Sequence, residues 1–397
     1  MKILYIHQYF KTPLEPGGTR SYWIAQELIK EGHNVTMLTT SSKIDGKVEK
    51  KYIDGINVIY LKVPYNQKMS IFKRLISFFS FMFKSSFYSL KEKEVDLVIA
   101  TSTPLTVGFP ALILKKIKGV PFVFEVRDLW PEVPIQMGAI NNKFIRNLAI
   151  SYEKIIYKNA RHIIALSPGM EKGVLKYEKQ DKVSMIPNMA KIDEFYPREK
   201  NLQLISKLGL KKDSFKLIHF GSLGIANGID SIIESAILLK NDLDVEFIFI
   251  GGGSTEEVIK AKCKNNGLNN IHFLGRYAMK KTSEIVNFCD VSLISFLDLP
   301  ILYTNSPNKL FDSLSAGKPL ILNSAGWTKD LVEEYECGFY VNPSNPEDLV
   351  EKINYFIKNK NKLVVMGNNS RSLAENKYDK TILCSQFLEV ISSLDLN

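Results

Sequence analysis

The chain has 397 residues, of which 45% are hydrophobic and 24% charged, a composition that excludes disordered, fibrous and collagen-like proteins and predicts two or three globular domains. Lysine and arginine outnumber acidic residues by 52 to 42, and the formal charge of +10 favours an anionic partner. The four cysteines show no paired short spacing and the first apolar run is too short for a signal peptide, so we expect a reduced, cytoplasmic protein.

Short apolar runs alternate with longer helical segments from the start of the chain. In the first half these runs have the length of buried strands, and they lie at 3–6, 35–38, 58–63, 95–100, 122–126 and 163–166. The alternation restarts in the second half, with runs at 217–220, 245–250, 271–274, 291–294, 320–322 and 339–341. We therefore predict an α/β protein with two parallel sheets, each covered by helices on both faces.

A segment without strand-like runs separates the two series. Residues 187–214 begin with Pro187 and Asn188 and continue into a charged stretch, which predicts a linker. We place the first domain at 1–190 and the second at 191–375. The chain is predicted to be helical after Pro346, and the apolar positions of the final segment, 376–397, indicate a closing helix that must pack on another element.

A glycine pair follows the first strand. The segment Pro16-Gly17-Gly18-Thr19-Arg20 opens a helix predicted to run to about Glu31, so backbone N–H groups and the positive helix end would face the mouth of the sheet. An anion could bind there. A plain glycine turn is the alternative, because one Gly-Gly pair is a weak signal.

Charged residues surround the end of the apolar strand at 122–126. Glu125, Arg127, Asp128 and Glu132 lie close to Trp130 and Pro131 in the sequence. Ligands of open α/β sheets bind beyond the carboxyl ends of strands, which predicts a functional role for this cluster. An ion pair from Arg127 to Asp128 or Glu132 is the structural alternative, and the two interpretations are compatible.

The first strand of the second half is also followed by a glycine loop. Gly221-Ser222-Leu223-Gly224 and Asn227-Gly228 precede a helix predicted at 229–239. The spacing matches neither the P-loop nor the Gly-x-Gly-x-x-Gly pattern, which disfavours kinases and dinucleotide reductases.

The segment 306–319 combines helix signals with an unusual lysine. Ser306 is predicted to be the N-cap, Pro307 the first helical residue and Gly317 the end of the helix. Lys309 lies near the helix start, where the dipole favours acidic residues, and a bound anion would explain its position. Asp312 lies one turn further on, so both side chains could flank one ligand. An intrahelical Lys309–Asp312 pair is the alternative.

We predict no metal site. Asp242-Leu243-Asp244 has the Asp-x-Asp spacing of metal-dependent nucleotide-sugar enzymes, but it precedes a strand and would lie at the wrong end of the sheet, so we interpret it as a solvated turn. The histidines form no close-spaced ligand set; they are His7, His33, His162, His219 and His272.

The segment 71–90 is rich in phenylalanine. Lys73, Ser77, Ser80 and Lys84 share a narrow polar stripe of a helical wheel, and nearly every other position is apolar. Lys84 interrupts the apolar run, which disfavours a membrane span. Both an interfacial, lipid-facing helix and a buried core helix stay open. In the interfacial case the membrane contacts would come from Lys73, Arg74, Phe79, Phe83 and Lys84.

Taken in order, these segments resemble a GT-B glycosyltransferase of family four, and most of all its bacterial O-antigen and capsule branch with N-acetylfucosaminyltransferase-like enzymes. The resemblance covers essentially the whole chain and depends on segments 16–20, 126–131, 186–188, 221–224 and 307–319. It implies two facing Rossmann-like domains with a deep cleft between them. It also implies an acceptor held mainly by the first domain, a nucleotide-sugar held mainly by the second, a last helix that crosses back to the first domain, and no metal or other cofactor.

The resemblance implies sugar transfer with retention at the anomeric carbon, with Asp128, Arg127 and Glu125 as the candidate catalytic residues. The family's second-domain glycine loop often carries Arg and Lys for the diphosphate. This chain has Ser222 and Asn227 instead, and Lys309 is the candidate replacement. The predicted donor-binding residues are Gly17, Gly18, Ser222, Gly224, Asn227, Arg276, Ser306, Asn308, Lys309 and Asp312.

Two further positions depart from the family pattern. Asp312 takes the place of the second of two glutamates that lie eight residues apart, whereas Thr304 stands at the first. The histidine often found after the fifth strand of the first domain is absent, and Arg127 and Asp128 stand near that place. By this resemblance, Asp312 could accept hydrogen bonds from ribose hydroxyls as the glutamate would, whereas the loss of the first acid leaves the contacts to the sugar hydroxyls without an acidic partner.

We expect transfer of an N-acetylated or deoxy sugar from a UDP-sugar to a polyprenyl-diphosphate-linked saccharide in O-antigen or capsule synthesis. The enzyme would act peripherally at the inner face of the plasma membrane and bind no nucleic acid. The alternatives are a GT-B nucleotide-sugar epimerase, a sucrose- or trehalose-type synthase, and a non-enzymatic protein that binds anions or membranes.

Overall fold

A computed structural model describes residues 1–66, 69–242 and 244–395. The first sheet has eight strands in the order β3-β4-β2-β1-β5-β6-β7-β8. These strands are β1 Lys2–Ile6, β2 Asn34–Ser41, β3 Val48–Ile53, β4 Ile56–Lys62, β5 Leu97–Thr101, β6 Phe122–Val126, β7 His162–Ala165 and β8 Val183–Met185.

The second sheet has six parallel strands in the order β11-β10-β9-β12-β13-β14. They are β9 Phe215–Ser222, β10 Val245–Gly252, β11 Ile271–Gly275, β12 Val291–Ile294, β13 Leu320–Leu322 and β14 Gly338–Tyr340. The alternation of apolar runs and helices therefore predicted every strand of this sheet, and the inner strands β10, β12 and β13 are almost wholly buried, as expected for a parallel sheet covered by helices.

The first sheet differs from the prediction at its two edges. Strand β3 pairs antiparallel with β4, so the sheet is mixed rather than wholly parallel. Three of its six residues are charged and none is buried, so the strand contains no apolar run. The hairpin signal was Asp54-Gly55, two residues with positive φ between the strands. The short edge strand β8 was also missed.

Fifteen helices connect or cover these strands in the described part of the chain. They are α1 Arg20–Lys30, α2 Ile71–Lys91, α3 Gly108–Lys118, α4 Glu132–Gln136, α5 Lys143–Asn159, α6 Pro168–Val174, α7 Leu202–Lys207, α8 Asp230–Leu238, α9 Glu256–Asn265, α10 Met279–Phe288, α11 Asn308–Ser315, α12 Trp327–Glu334, α13 Pro346–Lys358, α14 Lys360–Leu373 and α15 Lys380–Ser393.

The closing helix α15 lies against the first domain. Leu383, Cys384, Phe387 and Ile391 are buried in one apolar cluster that also contains core residues of β1 and α1. The predicted linker, 187–214, contains helix α7 and no strand. The chain therefore passes from the first sheet to the second and then returns to the first.

Helix α2 presents the polar stripe predicted for it only in part, since Lys73 and Lys84 are exposed but Ser77 is not. Ser77 is buried, and its hydroxyl donates to the carbonyl of Pro64, whereas Phe79 and Phe83 are 49% and 61% exposed. Ser77 can face inward because its hydroxyl bonds to a nearby backbone carbonyl. Phe78 and Phe81 are buried, whereas Phe79 and Phe83 lie on the outer face. No helix in the described residues combines the length and hydrophobicity that a membrane crossing requires.

The two domains face each other across a cleft. Strand order reverses between β1 and β5 in one sheet and between β9 and β12 in the other. In open α/β sheets this is the place where ligands bind, beyond the carboxyl ends of the strands. The predicted architecture of two facing Rossmann-like domains is confirmed.

Candidate active site

A cavity of about 500 Å³ lies between the domains. Among the predicted donor-binding residues, Gly224 alone does not line it. Arg127 and Asp128 of the first domain also line it, whereas Glu125 does not. The predicted residues that do line it are Gly17, Gly18, Arg127, Asp128, Ser222, Asn227, Arg276, Ser306, Asn308, Lys309 and Asp312.

The Gly17-Gly18 loop brings the two domains together. A Cβ atom added at Gly18 would lie 3.0 Å from Nδ2 of Asn308, which is tighter than side chains normally pack. Glycine therefore allows the loop before α1 to approach the first residue of α11. Helix α1 begins at Arg20, as the sequence predicted.

Glu125 is buried behind the cleft and takes no part in it. Its carboxylate accepts from Nε of Arg20 at 2.6 Å and from the hydroxyl of Thr101 at 2.9 Å. The side chains of Arg20 and Glu125 are both fully buried, and Arg20 also donates to the carbonyls of Ile186 and Pro187. The structure therefore gives Glu125 a structural role in place of the predicted catalytic one.

Arg127 and Asp128 reach the cavity, but they form neither of the two ion pairs considered in the sequence analysis; the described residues contain no such pair. Asp128 accepts a hydrogen bond from the hydroxyl of Thr103, and burial raises the pKa of its carboxyl group. Nη1 of Arg127 lies 3.3 Å from Nε2 of His7, a histidine whose pKa burial lowers well below its usual value. Asp128 is thus a carboxylate with raised proton affinity beside the cavity.

Lys309 is a buried cation with neutral partners. Its Nζ donates to Oδ1 of Asn227 at 2.8 Å and lies 3.2 Å from Nε2 of His219. Within the ranges that the structure describes it has no ion pair, and burial lowers its pKa to about 7. Because burying a charge without a counter-charge is costly, this position favours a bound anion. The intrahelical Lys309–Asp312 pair, which the sequence analysis gave as the alternative, is not formed, because Asp312 pairs with Lys191.

Asp312 instead pairs with Lys191, a residue that the sequence analysis missed. The two side chains form a buried ion pair, and both line the cavity. Burial raises the pKa of Asp312, and Lys191 opposes the rise. In the sequence, Lys191 is visible as a lysine shortly after Pro187-Asn188. Its pairing could not be predicted, because Asp312 lies more than a hundred residues further along the chain.

Helix α11 begins later than predicted. It starts at Asn308, and Pro307 precedes it. Ser306 is not an N-cap: its hydroxyl accepts from the backbone N–H of Asn188 at 3.1 Å. The serine therefore ties the linker to the start of α11.

Comparison with known proteins assigns both halves of the chain. Residues 17–189 match the glycosyl transferase 4-like domain, and residues 200–373 match the domain described as glycosyl transferases group 1. The chain carries the two domains of a group 1 glycosyltransferase. A probable glycosyltransferase of Pseudomonas aeruginosa, WbjE, is 23% identical over 380 residues, which are 89% of this chain and 93% of that protein. WcaI of Escherichia coli, a putative colanic acid biosynthesis glycosyl transferase, is 21% identical over 98% of this chain and 100% of its own.

Solved structures share the GT-B fold of this glycosyltransferase. Sucrose-phosphate synthase from Thermosynechococcus elongatus superposes with a TM-score of 0.81 at 17% identity, covering 99% of this chain and 98% of its own. HepE of Anabaena, solved with UDP and glucose, gives 0.74 at 20% identity over 99% of this chain and 100% of its own. WaaG, a glycosyltransferase of lipopolysaccharide biosynthesis, gives 0.72 at 16% identity over 98% and 100%.

The second-domain loop of this glycosyltransferase presents Asn227 to Lys309. A 3₁₀ turn at Ile225–Asn227 follows β9, and Gly228 ends it with φ of +53°. A Cβ atom there would lie 2.7 Å from the backbone of Phe296, so only glycine fits without displacement. Gly224 does not line the cavity and shapes the loop.

Two positions considered in the sequence analysis, Thr304 and Asp242, do not line the cavity of this glycosyltransferase. Thr304, at the place of the first acid, donates its hydroxyl to the carbonyl of Ile301 and does not line the cavity. Asp242 accepts from the backbone N–H of Asp244 at 3.1 Å, as in a turn, and Leu243 lies outside the described residues. The described residues contain no group of three or more His, Cys, Asp or Glu side chains that could hold a metal.

Proposed function

We propose that the enzyme transfers a sugar from a UDP-sugar to a lipid-linked saccharide during bacterial surface polysaccharide synthesis, with retention at the anomeric carbon. The sugar we favour is N-acetylated or deoxy, as in the N-acetylfucosaminyltransferase-like branch. The observation that carries the proposal is Lys309, a buried cation with neutral partners in the interdomain cavity. Its family relatives include a putative colanic acid transferase, and a solved neighbour of the same fold binds UDP.

The second domain would stabilise the departing nucleoside diphosphate. When the bond from the anomeric carbon to the phosphate oxygen breaks, negative charge grows on the distal phosphate. Lys309 would meet that charge, and Arg276 at the exposed rim of the same cavity would supply a second cation. A charge-assisted hydrogen bond of this kind contributes about 1.5 to 3 kcal/mol.

The acceptor would approach from the first domain. Its hydroxyl oxygen forms the new bond to the anomeric carbon, and the hydroxyl proton passes to Asp128 or to the departing phosphate. Asp128 suits the task because burial raises its proton affinity, and general bases work best when their pKa approaches the operating pH. Arg127 lies beside it in the cavity.

The test of this function is turnover. The full-length protein should release UDP from a UDP-sugar only when an acceptor is present, and a thermal-shift panel should rank UDP above GDP and ADP. A ligand at 100 times its dissociation constant adds about 2.7 kcal/mol to the free energy of unfolding. Isomerised sugar without UDP release would instead indicate an epimerase. No turnover and no nucleotide-dependent shift would contradict the proposal.

Metal independence is part of the proposal. The cation Lys309 would replace the divalent ion that other nucleotide-sugar enzymes place on the diphosphate, so transfer should continue in excess EDTA. Loss of turnover on chelation, restored by manganese or magnesium, would contradict it.

We also propose that the enzyme binds the inner face of the plasma membrane, where it would meet a polyprenyl-diphosphate-linked acceptor. Residues 55–91 contain six lysines and arginines and no acidic residue, and 133–152 likewise lack acids. Exposed apolar side chains lie on α2 and α5 in these stretches, namely Phe72, Leu75, Ile76, Phe79, Phe83, Phe87, Phe144, Ile145 and Leu148. Apolar insertion and attraction to anionic lipid, about 1 kcal/mol for each cation near the surface, would act together.

Liposome flotation tests the membrane proposal. Wild type should float with anionic vesicles more than with neutral ones, and high salt should weaken the binding. Phe79→Ser with Phe83→Ser should reduce flotation, whereas Val258→Ser with Val364→Ser, a matched pair of exposed apolar residues in the second domain, should not. Absence of flotation for the well-folded wild type would contradict the proposal.

A further inference from the structure

Lys191 occupies a place in the donor cavity that no family position explains. The residue lies in the linker, and its side chain is only 4% exposed, as against 11% for its partner Asp312. Both side chains line the cavity between the domains. A buried lysine would normally lose its proton or find a counter-charge, and Asp312 provides that charge.

The backbone around Lys191 is fixed from two directions. The N–H of Ala190 donates to the carbonyl of Tyr378 at 2.7 Å, and the N–H of Lys380 donates to the carbonyl of Ala190 at 2.8 Å. On the other side, the N–H of Asn188 donates to the hydroxyl of Ser306. Hydrogen bonds on both sides therefore hold the backbone that carries the Lys191 side chain and its ammonium group beside Asp312.

Asp312 needs such a partner if it is to bind a nucleoside. Burial disfavours the ionised carboxylate, and a protonated carboxyl group offers a weaker acceptor to a hydroxyl. Its nearest cation along the helix, Lys309, points instead to Asn227 and His219. Lys191 is thus the cation that the structure sets against this carboxylate.

We propose that Lys191 is a positioning residue of the donor site, which holds the Asp312 carboxylate ionised and oriented to accept hydrogen bonds from the ribose hydroxyls of a nucleoside diphosphate. The proposal rests on the proposed function, since it presumes a nucleotide in the cavity. It adds a residue of the linker to the site and makes recognition of the ribose depend on a buried ion pair.

A second buried pair provides a matched control. Nζ of Lys216 lies 3.7 Å from Glu246, with both side chains almost fully buried in the same domain, and Lys216 does not line the cavity. Loss of Lys216 removes a buried lysine from a buried carboxylate without touching the donor site. Any effect specific to Lys191 must therefore come from its position.

The experiment measures dissociation constants of UDP and 2′,3′-dideoxy-UDP by calorimetry on the full-length protein. Wild type should prefer UDP. Lys191→Gln should weaken UDP about tenfold and bring the two dissociation constants close together, because the lost acceptor serves only the hydroxyls. Lys191→Arg, which keeps the charge, should retain most of the preference, and Lys216→Gln should leave it unchanged.

A double-mutant cycle with Asp312→Asn separates indirect from direct action. If Lys191 works through Asp312, Lys191→Gln should add little in the Asp312→Asn background. An equal loss of UDP and dideoxy-UDP affinity that persists in that background would overturn the proposal, since Lys191 would then contact the phosphates. An unchanged preference in Lys191→Gln would also overturn it.

Three further outcomes separate failure of this inference from failure of the proposed function. If Lys191→Gln does not fold, the proposal still requires that Asp312→Asn abolish the preference for UDP, and a retained preference overturns it. If wild type binds UDP and only the Lys191 predictions fail, the proposed function stands without this inference. If wild type binds no nucleoside diphosphate, the proposed function itself fails, and the inference fails with it.

Discussion

Two buried cations, Arg20 behind the cleft and Lys309 in the cavity lining, differ in whether the chain itself supplies their counter-charge. Arg20 is fully buried, with Glu125 at 2.6 Å and backbone carbonyls around the rest of its guanidinium. Lys309 is also buried, yet Asn227 and His219 are neutral. The counter-charge of Arg20 comes from the chain itself, so its charge is already compensated. A buried cation without a counter-charge is stabilised when an anion binds beside it.

The same contrast separates two acids that are three residues apart. Glu125 lies at the end of β6 and is paired with Arg20, whereas Asp128 lies beyond the strand and accepts only a neutral hydroxyl in the described contacts. Glu125 therefore serves the buried ion pair with Arg20. Asp128 retains a raised proton affinity in the cavity.

Removing the satisfied partner should give the largest effect. Glu125→Gln leaves Arg20 as an uncompensated buried charge, and we expect the free energy of unfolding to fall by about 3 to 5 kcal/mol. Denaturant titration measures the change. Turnover per folded molecule should remain close to wild type, because the side chain does not line the cavity. A stable but inactive variant would mean that Glu125 takes part in catalysis, and the contrast between Glu125 and Asp128 would then be wrong.

Replacing the unsatisfied acid should give the opposite pattern. Asp128→Asn should lower turnover by a factor of roughly a hundred, since the amide cannot take a proton, while UDP affinity and stability are retained. Steady-state kinetics with calorimetry and thermal melts would show it. Full activity in a less stable variant would place Asp128 with Glu125 as a structural acid.

Loss of the unsatisfied cation should affect binding rather than folding. Lys309→Ala should weaken UDP by about 1.5 to 3 kcal/mol, while the free energy of unfolding changes little, because removal of a charge without a counter-charge relieves a cost of burial. Calorimetry and denaturant titration measure the two quantities on the same sample. An unchanged dissociation constant would mean that the diphosphate binds elsewhere.

The smallest effect concerns protons. The pKa of Lys309 is about 7 in the protein without ligand, and a bound diphosphate should raise it. Binding of UDP at pH 8 should therefore be accompanied by proton uptake. UDP affinity should therefore be greatest below about pH 7 and should fall as the pH rises from there towards the pKa of the complex. Calorimetry in buffers of different ionisation enthalpy measures the uptake. Uptake that persists in Lys309→Ala would have another source.

The sequence by itself determined the two-domain α/β fold and the approximate place of the cavity. Apolar runs predicted the inner strands because those strands are buried on both faces, and the glycine loops and Lys309 could be recognised because their signals lie within a few neighbouring residues. The edge strand β3 was not predicted, because one edge and much of its surface face solvent and its sequence therefore contains no apolar run.

Tertiary structure alone decided which charged residues were free. Glu125 and Asp128 belong to the same polar segment, and only the position of Arg20, 105 residues from Glu125, separates their roles. Lys191 and Asp312 are likewise joined only when the linker reaches α11. Ser77 of α2 faces inward, where its hydroxyl donates to the carbonyl of Pro64, a residue outside the helix. Local sequence sets periodicity and turns, but the counter-charge of a buried group comes from a distant part of the chain, so its identity depends on the folded structure.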